Sequence, residues 1–251
     1  MGRDRMMRWP AAVAVAATLL AAVACTDTGG NPPISTPTSP PPTATVPPPT
    51  TPPGTPTGHW PLTGDLGVHD PSIIREGNDW YVFSTGPGLQ VLRSTNGGTS
   101  WVRAPQIFLT PPAWWASVVP NQQRLDVWAP DAAVHNGRVW LYYAISSFGS
   151  RVSAIGLASA NTIGEGRWRD EGLVLRTTDA NDYNAIDPEL VIDAQGQPWL
   201  AFGSFWTGLK ITRLGANMKP TGAITSIARR DNAGGAIEAP AIVHRDGWYY
   251  L

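Results

Sequence analysis

Between His69 and Leu251 one pattern occurs four times: an acidic residue beside a proline opens a strand, a tight hairpin follows, and an aromatic strand comes next. The units begin at His69-Asp70-Pro71, Trp128-Ala129-Pro130-Asp131, Ile186-Asp187-Pro188-Glu189 and Ile237-Glu238-Ala239-Pro240. Their hairpins follow at Asn78-Asp79-Trp80, Asn136-Gly137-Arg138, Gln195-Gly196-Gln197 and Asp246-Gly247-Trp248. Counted on the acids, Asp70, Asp131, Asp187 and Glu238 lie 61, 56 and 51 residues apart. Such intervals match four-stranded propeller blades, whose equivalent positions meet at a central axis. The competing architecture is a β-sandwich with fortuitous spacing.

The rest of the region from His59 onward has almost no helical periodicity, and its short β-branched and aromatic runs end in Gly, Asn and Asp turns, so the class is all-β. Ser94-Thr95-Asn96-Gly97-Gly98-Thr99-Ser100-Trp101 resembles the Asp-box turn of sialidase-type propellers, a hairpin feature without chemistry. The chain stops at Leu251 inside the second strand of the fourth unit, and the expectation is a C-terminally truncated sequence. Closing a ring with a fifth blade would take roughly 80 to 120 further residues at about 50 per blade.

Residues 1–25 read as an export signal: Arg3, Arg5 and Arg8 precede an apolar run from Ala11 to Ala24, shorter than the roughly 20 residues of a membrane span. Ala22-Val23-Ala24-Cys25 looks like a lipoprotein cleavage site, so Cys25, the single cysteine, would carry lipid at the outer face of a bacterial cell membrane. The alternative is ordinary cleavage, which leaves Cys25 as a free thiol or removes it. Residues 26–58 are a Pro/Thr-rich linker, too poor in apolar residues to fold and biased to extended polyproline II. With a net charge of -1 and no basic stripe, nucleic acid is not an expected partner.

Cleaving a glycosidic bond with inversion takes one carboxylic acid to protonate the leaving oxygen and one carboxylate to activate water; a third carboxylate can keep the acid protonated. Val68-His69-Asp70-Pro71-Ser72, Trp128-Ala129-Pro130-Asp131, Asn184-Ala185-Ile186-Asp187-Pro188-Glu189-Leu190 and Ile237-Glu238-Ala239-Pro240 together resemble family-43 glycoside hydrolases, and Gly203-Ser204-Phe205-Trp206-Thr207-Gly208-Leu209-Lys210 is similar to their endo-α-1,5-L-arabinanase branch. The resemblance runs from about His59 to Leu251 and implies a five-bladed propeller, of which this chain would cover about three and a half blades. It implies Asp70 as general base, Glu238 as general acid and Asp187 as pKa modulator, roles that spacing alone does not assign. The implied function is internal cleavage of α-1,5-linked arabinan, a plant cell-wall polysaccharide. The alternatives are an exo-acting α-L-arabinofuranosidase or β-D-xylosidase, and a carbohydrate-binding propeller without catalysis.

Asn184, Ser204, Phe205 and Trp206 are candidate substrate contacts, since furanose rings bind through hydrogen bonds and aromatic faces. Trp114 and Trp115 read equally as a sugar platform or as packing under a Pro-rich loop. Asp131 reads as a structural carboxylate capping strand-end amides, and Glu189 as a supporting acceptor on the same strand face as Asp187. On a regular strand His69 would turn away from the cavity. His135 and His244 fall in hairpins, expected to face solvent, and no His/Cys cluster of metal-ligand spacing occurs. The resemblance implies no cofactor for the chemistry and a calcium ion near the axis, with a histidine ligand on a later blade.

Overall fold

The computed structural model describes residues 61–122 and 125–251. The signal (1–25), the linker (26–58), Cys25 and the expected domain start at His59 lie outside the described residues. Within them the all-β reading holds.

The first strands are β1 (Thr63–Gly64), β2 (Ser72–Glu76), β3 (Asp79–Ser84), β4 (Gly86–Pro87), β5 (Gln90–Ser94) and β6 (Ser100–Ala104). All but β4 form one sheet in the order β1-β6-β5-β3-β2. A short helix, α1 (Trp115–Val118), leads to β7 (Asp126–His135), β8 (Arg138–Ile145), β9 (Ser153–Ala160) and β10 (Arg169–Thr177). The second sheet runs β10-β9-β8-β7-β4, with β4 extending the edge beside the first sheet. The third contains β11 (Glu189–Ile192), β12 (Pro198–Phe202), β13 (Leu209–Arg213) and β14 (Thr225–Ala228) in sequence order. Strands β15 (Val243–Arg245) and β16 (Trp248–Tyr250) make a final hairpin. The first three units are thus antiparallel meanders, with β4 of the first joining the second sheet, the fourth is a hairpin, and no sheet closes on itself among the described residues.

Hairpin chemistry follows the residues. Asn136-Gly137 and Asp246-Gly247 have φ of 50° and 72°, and 52° and 82°, the left-handed pairs that two-residue turns require. In the Asp-box-like hairpin, Asn96 Oδ1 accepts from the Ser100 amide (3.0 Å), and Trp101 Nε1 donates to Gly98 O (2.9 Å).

The core explains why the middle sheet reads as continuous apolar runs rather than alternation. On β8, Val139, Leu141, Tyr143 and Ile145 pack toward the first sheet with Phe83, Val91 and Phe108, whereas Tyr142 packs oppositely with Leu200 and Phe202 of the third. Both faces are buried, so period 2 is expressed as two cores. Trp115 is buried between Phe108 and Tyr143, and Trp114 donates to Asp170, so this pair belongs to the core and not to a sugar platform.

The four units correspond at their prolines, not at their acids. Asp70, Ala129, Asp187 and Ala239 each precede the proline and have φ of 49°, 40°, 53° and 53°. A non-glycine residue in this region is uncommon, and a following proline already narrows its choices. The next residue along, Ser72, Asp131 or Glu189, reaches across to the following sheet. Ser72 Oγ accepts from the Ala132 amide (3.0 Å), Asp131 Oδ2 from Leu190 (2.7 Å) and Glu189 Oε1 from Ile242 (3.4 Å). Asp131 is therefore the amide-capping carboxylate expected, but it corresponds to Ser72 and Glu189 rather than to Asp70.

Candidate active site

The left-handed turns before the prolines decide where the acids go. Asp70 and Asp187 occupy the turn residue itself, and Glu238 precedes one; all three line a single cleft of about 710 Å3. They come from the first unit, the third unit and the segment entering the final hairpin, 51 to 168 residues apart in sequence. Asn184, Ser204, Phe205 and Trp206 line the same cleft, so all seven residues singled out for catalysis or substrate contact meet in one place.

Asp70 Oδ2 accepts from Thr85 Oγ1 (2.7 Å), and that oxygen accepts in turn from the Ala129 amide (2.8 Å). Asp187 Oδ2 accepts directly from the amide of Ala239 (3.0 Å), the residue after Glu238. In both places an acid of one unit is joined to the turn of the next. Burial pushes the Asp187 carboxyl up to about 6; the Ala239 amide opposes this, and the charges of Glu238 and Asp70 add to it.

His69 is not turned away. The regular-strand alternation fails because Asp70 has positive φ, and the imidazole, largely exposed, lines the cleft with Nε2 3.3 Å from Asp70 Oδ2. For the same reason Asp187 and Glu189 do not share a face: Asp187 lines the cleft and Glu189 is absent from its lining. Burial, then the charge of Asp131, pushes the Glu189 carboxyl up to about 8.

Asn184 and Ser204 are buried against each other, with Asn184 Oδ1 accepting from the Ser204 amide (3.0 Å) and hydroxyl (3.1 Å). That arrangement commits the carbonyl oxygen and leaves the amide N–H2 for a ligand. Phe205 and Trp206 are 40% and 39% exposed. Thr85, Trp128 and Phe148 complete the apolar and polar walls and were not singled out in the sequence. Phe148 is 99% exposed at the tip of a Ser147–Ser150 turn, where Gly149 has φ of 73°. Its only sequence signal is the Phe-Gly pair between two serines.

Residues 64–251 match the family model described as "Glycosyl hydrolases family 43". The chain belongs to that family. Its similarity to the extracellular endo-alpha-(1->5)-L-arabinanase 1 of Bacillus subtilis (strain 168) is 52% identity over 197 residues, covering 76% of this chain and 60% of the relative. The extracellular exo-alpha-(1->5)-L-arabinofuranosidase ArbA of Cellvibrio japonicus is 39% identical over 201 residues, 73% of this chain and 57% of the relative. Among solved structures, the family-43 endo-arabinanase of Bacillus licheniformis superposes with a TM-score of 0.74 at 57% identity, covering 76% of this chain and 66% of that one. The chain spans about three-fifths of the length of the curated family-43 relatives it matches.

No group of three or more His, Cys, Asp or Glu side chains that could hold a metal ion occurs among the described residues, so the calcium ion implied by the resemblance is not shown by them.

Proposed function

We propose that this protein hydrolyses α-1,5-linked arabinan internally and with inversion. The observation that carries the reading is the convergence of Asp70, Asp187 and Glu238 on one cleft, with Asp187 hydrogen-bonded to the residue after Glu238. In this reading the Glu238 carboxylic acid gives its proton to the glycosidic oxygen as the bond to the anomeric carbon breaks. Asp70 takes a proton from a water whose oxygen attacks that carbon from the opposite face, giving the inverted hemiacetal. Asp187, tied to the Ala239 amide, holds the Glu238 segment in place and adds negative potential beside it. Phe205, Trp206 and Phe148 offer apolar faces to furanose rings, and Asn184 offers its amide N–H2.

Endo action is supported by the endo-acting names of the Bacillus subtilis relative and the Bacillus licheniformis structure. The Cellvibrio japonicus relative, named as exo-acting, keeps the exo reading as the second one. We place the three meanders and the final hairpin as successive blades of a five-bladed propeller, this chain covering about three and a half of them; the likeness to the arabinanase structures supports this. Export, and a lipid anchor at Cys25 ahead of a Pro-rich stalk, rest on the N-terminal sequence, and the extracellular names of the relatives support export.

Incubation with linear arabinan, arabinoxylan and xylan beside a Glu238→Gln control tests the reading. Short arabino-oligosaccharides from linear arabinan, absent in the control, are expected. Monomeric arabinose or xylose alone would move the assignment to the exo reading, and no release from any polymer by folded protein would favour a binding module.

A further inference from the structure

Lys210 lies in β13 with only 4% of its surface exposed. Lysine is among the residues least often buried, and desolvating an ammonium costs several kcal/mol even after relaxation. An apolar side chain would serve the sheet at lower cost. The compensation comes from one loop: Nζ donates to Thr207 O (2.6 Å), Thr207 Oγ1 (3.0 Å) and Gly208 O (3.1 Å), so all three N–H groups are used. The ammonium also lies 5.3 Å from the centre of the Tyr183 ring. Burial lowers its pKa from the ordinary lysine value, with the charge of Asp182 opposing the shift and that of Arg229 adding to it.

The loop so held is strained. Phe205 and Trp206 have φ of 39° and 40°, a left-handed region that bulky side chains rarely adopt. Gly208 follows with φ of 75°, where a Cβ would come within 2.2 Å of Ala228 O, so the backbone is pressed against β14. Thr207 is fastened at the other side, its amide (3.1 Å) and hydroxyl (2.7 Å) both donating to Asp182 O. The Phe205 amide donates to Ile237 O (2.9 Å), next to Glu238. Strain of this kind persists only where the surroundings over-determine it, and here its product is two half-exposed aromatic rings on the cleft wall.

We infer that Lys210 is a positioning residue: its buried ammonium clamps the Phe205–Gly208 loop in the left-handed form that keeps Phe205 and Trp206 on the cleft wall, where they receive the sugar chain. The clamp stands on geometry, and its consequence for binding rests on the arabinan reading above.

Two measurements on the full chain carrying Lys210→Met separate these parts. Hydrogen exchange at the amides of Phe205, Thr207 and Gly208 is expected to accelerate at least about 10-fold, while those of Leu200 and Phe202 in β12 stay unchanged. On linear arabinan, KM is expected to rise about 10-fold with kcat within about threefold, and Lys210→Met added to the pair Phe205→Ala and Trp206→Ala should be no worse than that pair alone. Unchanged loop exchange in the folded variant overturns the clamp. Accelerated exchange with unaltered KM, or effects that add to that pair, overturns the positioning role. Should the wild type neither bind nor cleave arabinan, the arabinan reading fails while the exchange result still decides the clamp. Lys210→Gln, which removes the charge and leaves Thr207 fastened to Asp182, carries the same tests if Lys210→Met does not fold.

Discussion

Asp70 and Asp187 show how much depends on a single backbone angle. Both are acids placed before proline at positive φ, and that conformation, not the strand's alternation, turns their carboxylates into the cleft. It also accounts for His69, which alternation would hide and which lies beside Asp70. If the assigned roles hold, Asp70→Asn and Glu238→Gln each lower kcat at least about 100-fold, the usual scale for acid-base groups. Initial rates on linear arabinan, beside a thermal melt within about 2 °C of wild type, check this; near-normal turnover in either variant would sink the assignment.

Among the elements, the turn between β8 and β9 shows the value of the tertiary fold most plainly. Phe148 at its tip is fully exposed although burying such a side chain is worth about 1.5–3 kcal/mol, and it lines the cleft. In the arabinan reading proposed above, a furanose ring covers it. Phe148→Ala is therefore expected to raise KM for linear arabinan about 10-fold while leaving kcat within about threefold, read from steady-state kinetics. An unaltered KM would remove Phe148 from the binding surface. Legibility differed by element. The hairpins at Asn136-Gly137 and Asp246-Gly247 were readable because turn chemistry is local, whereas the loop bearing Phe148 carried no periodic signal and depended on what it faces.

For the molecule as a whole, the hydrogen bonds running from one unit to the next are the distinctive feature. Ser72, Asp131 and Glu189 repeat one contact at three successive sheet boundaries, and the last two bring carboxyl groups together in the interior. Asp131 takes the Leu190 amide at 2.7 Å and the Ser72 hydroxyl at 3.2 Å, and both oppose the upward push of burial on its own carboxyl. Burial and the charge of Asp131 push the Glu189 carboxyl up to about 8, against an ordinary value of 4.5. A carboxyl with a raised folded pKa favours the folded state fully below its unfolded value, and the contribution is lost as pH climbs toward the folded value. Asp187 adds the same sign between its ordinary 3.8 and about 6. The wild-type melting temperature should therefore fall from pH 5 to pH 9 by at least about 5 °C, since 1 kcal/mol is worth roughly 2–4 °C at this size. Glu189→Gln, neutral at every pH, should flatten the decline; a parallel decline in the variant would show that Glu189 is not its source.

What the amino-acid order determined by itself was local or repetitive: the all-β class, four strand units, their hairpins, and four acids at intervals of 61, 56 and 51 residues. Turn propensity and the period-2 pattern act over a few residues, and a repeat announces itself wherever it occurs. Only the tertiary structure decided which atoms meet. It put the correspondence of the units on their prolines, assigned Trp114 and Trp115 to packing, separated Asp187 from Glu189, and joined Lys210 to the loop that presents Phe205 and Trp206. The correspondence of the units and the place of Asp187 depend on left-handed turns and on contacts between segments more than 50 residues apart, which no local pattern encodes. The Lys210 contacts span only two or three residues, and what the tertiary structure decided there is the burial of the ammonium.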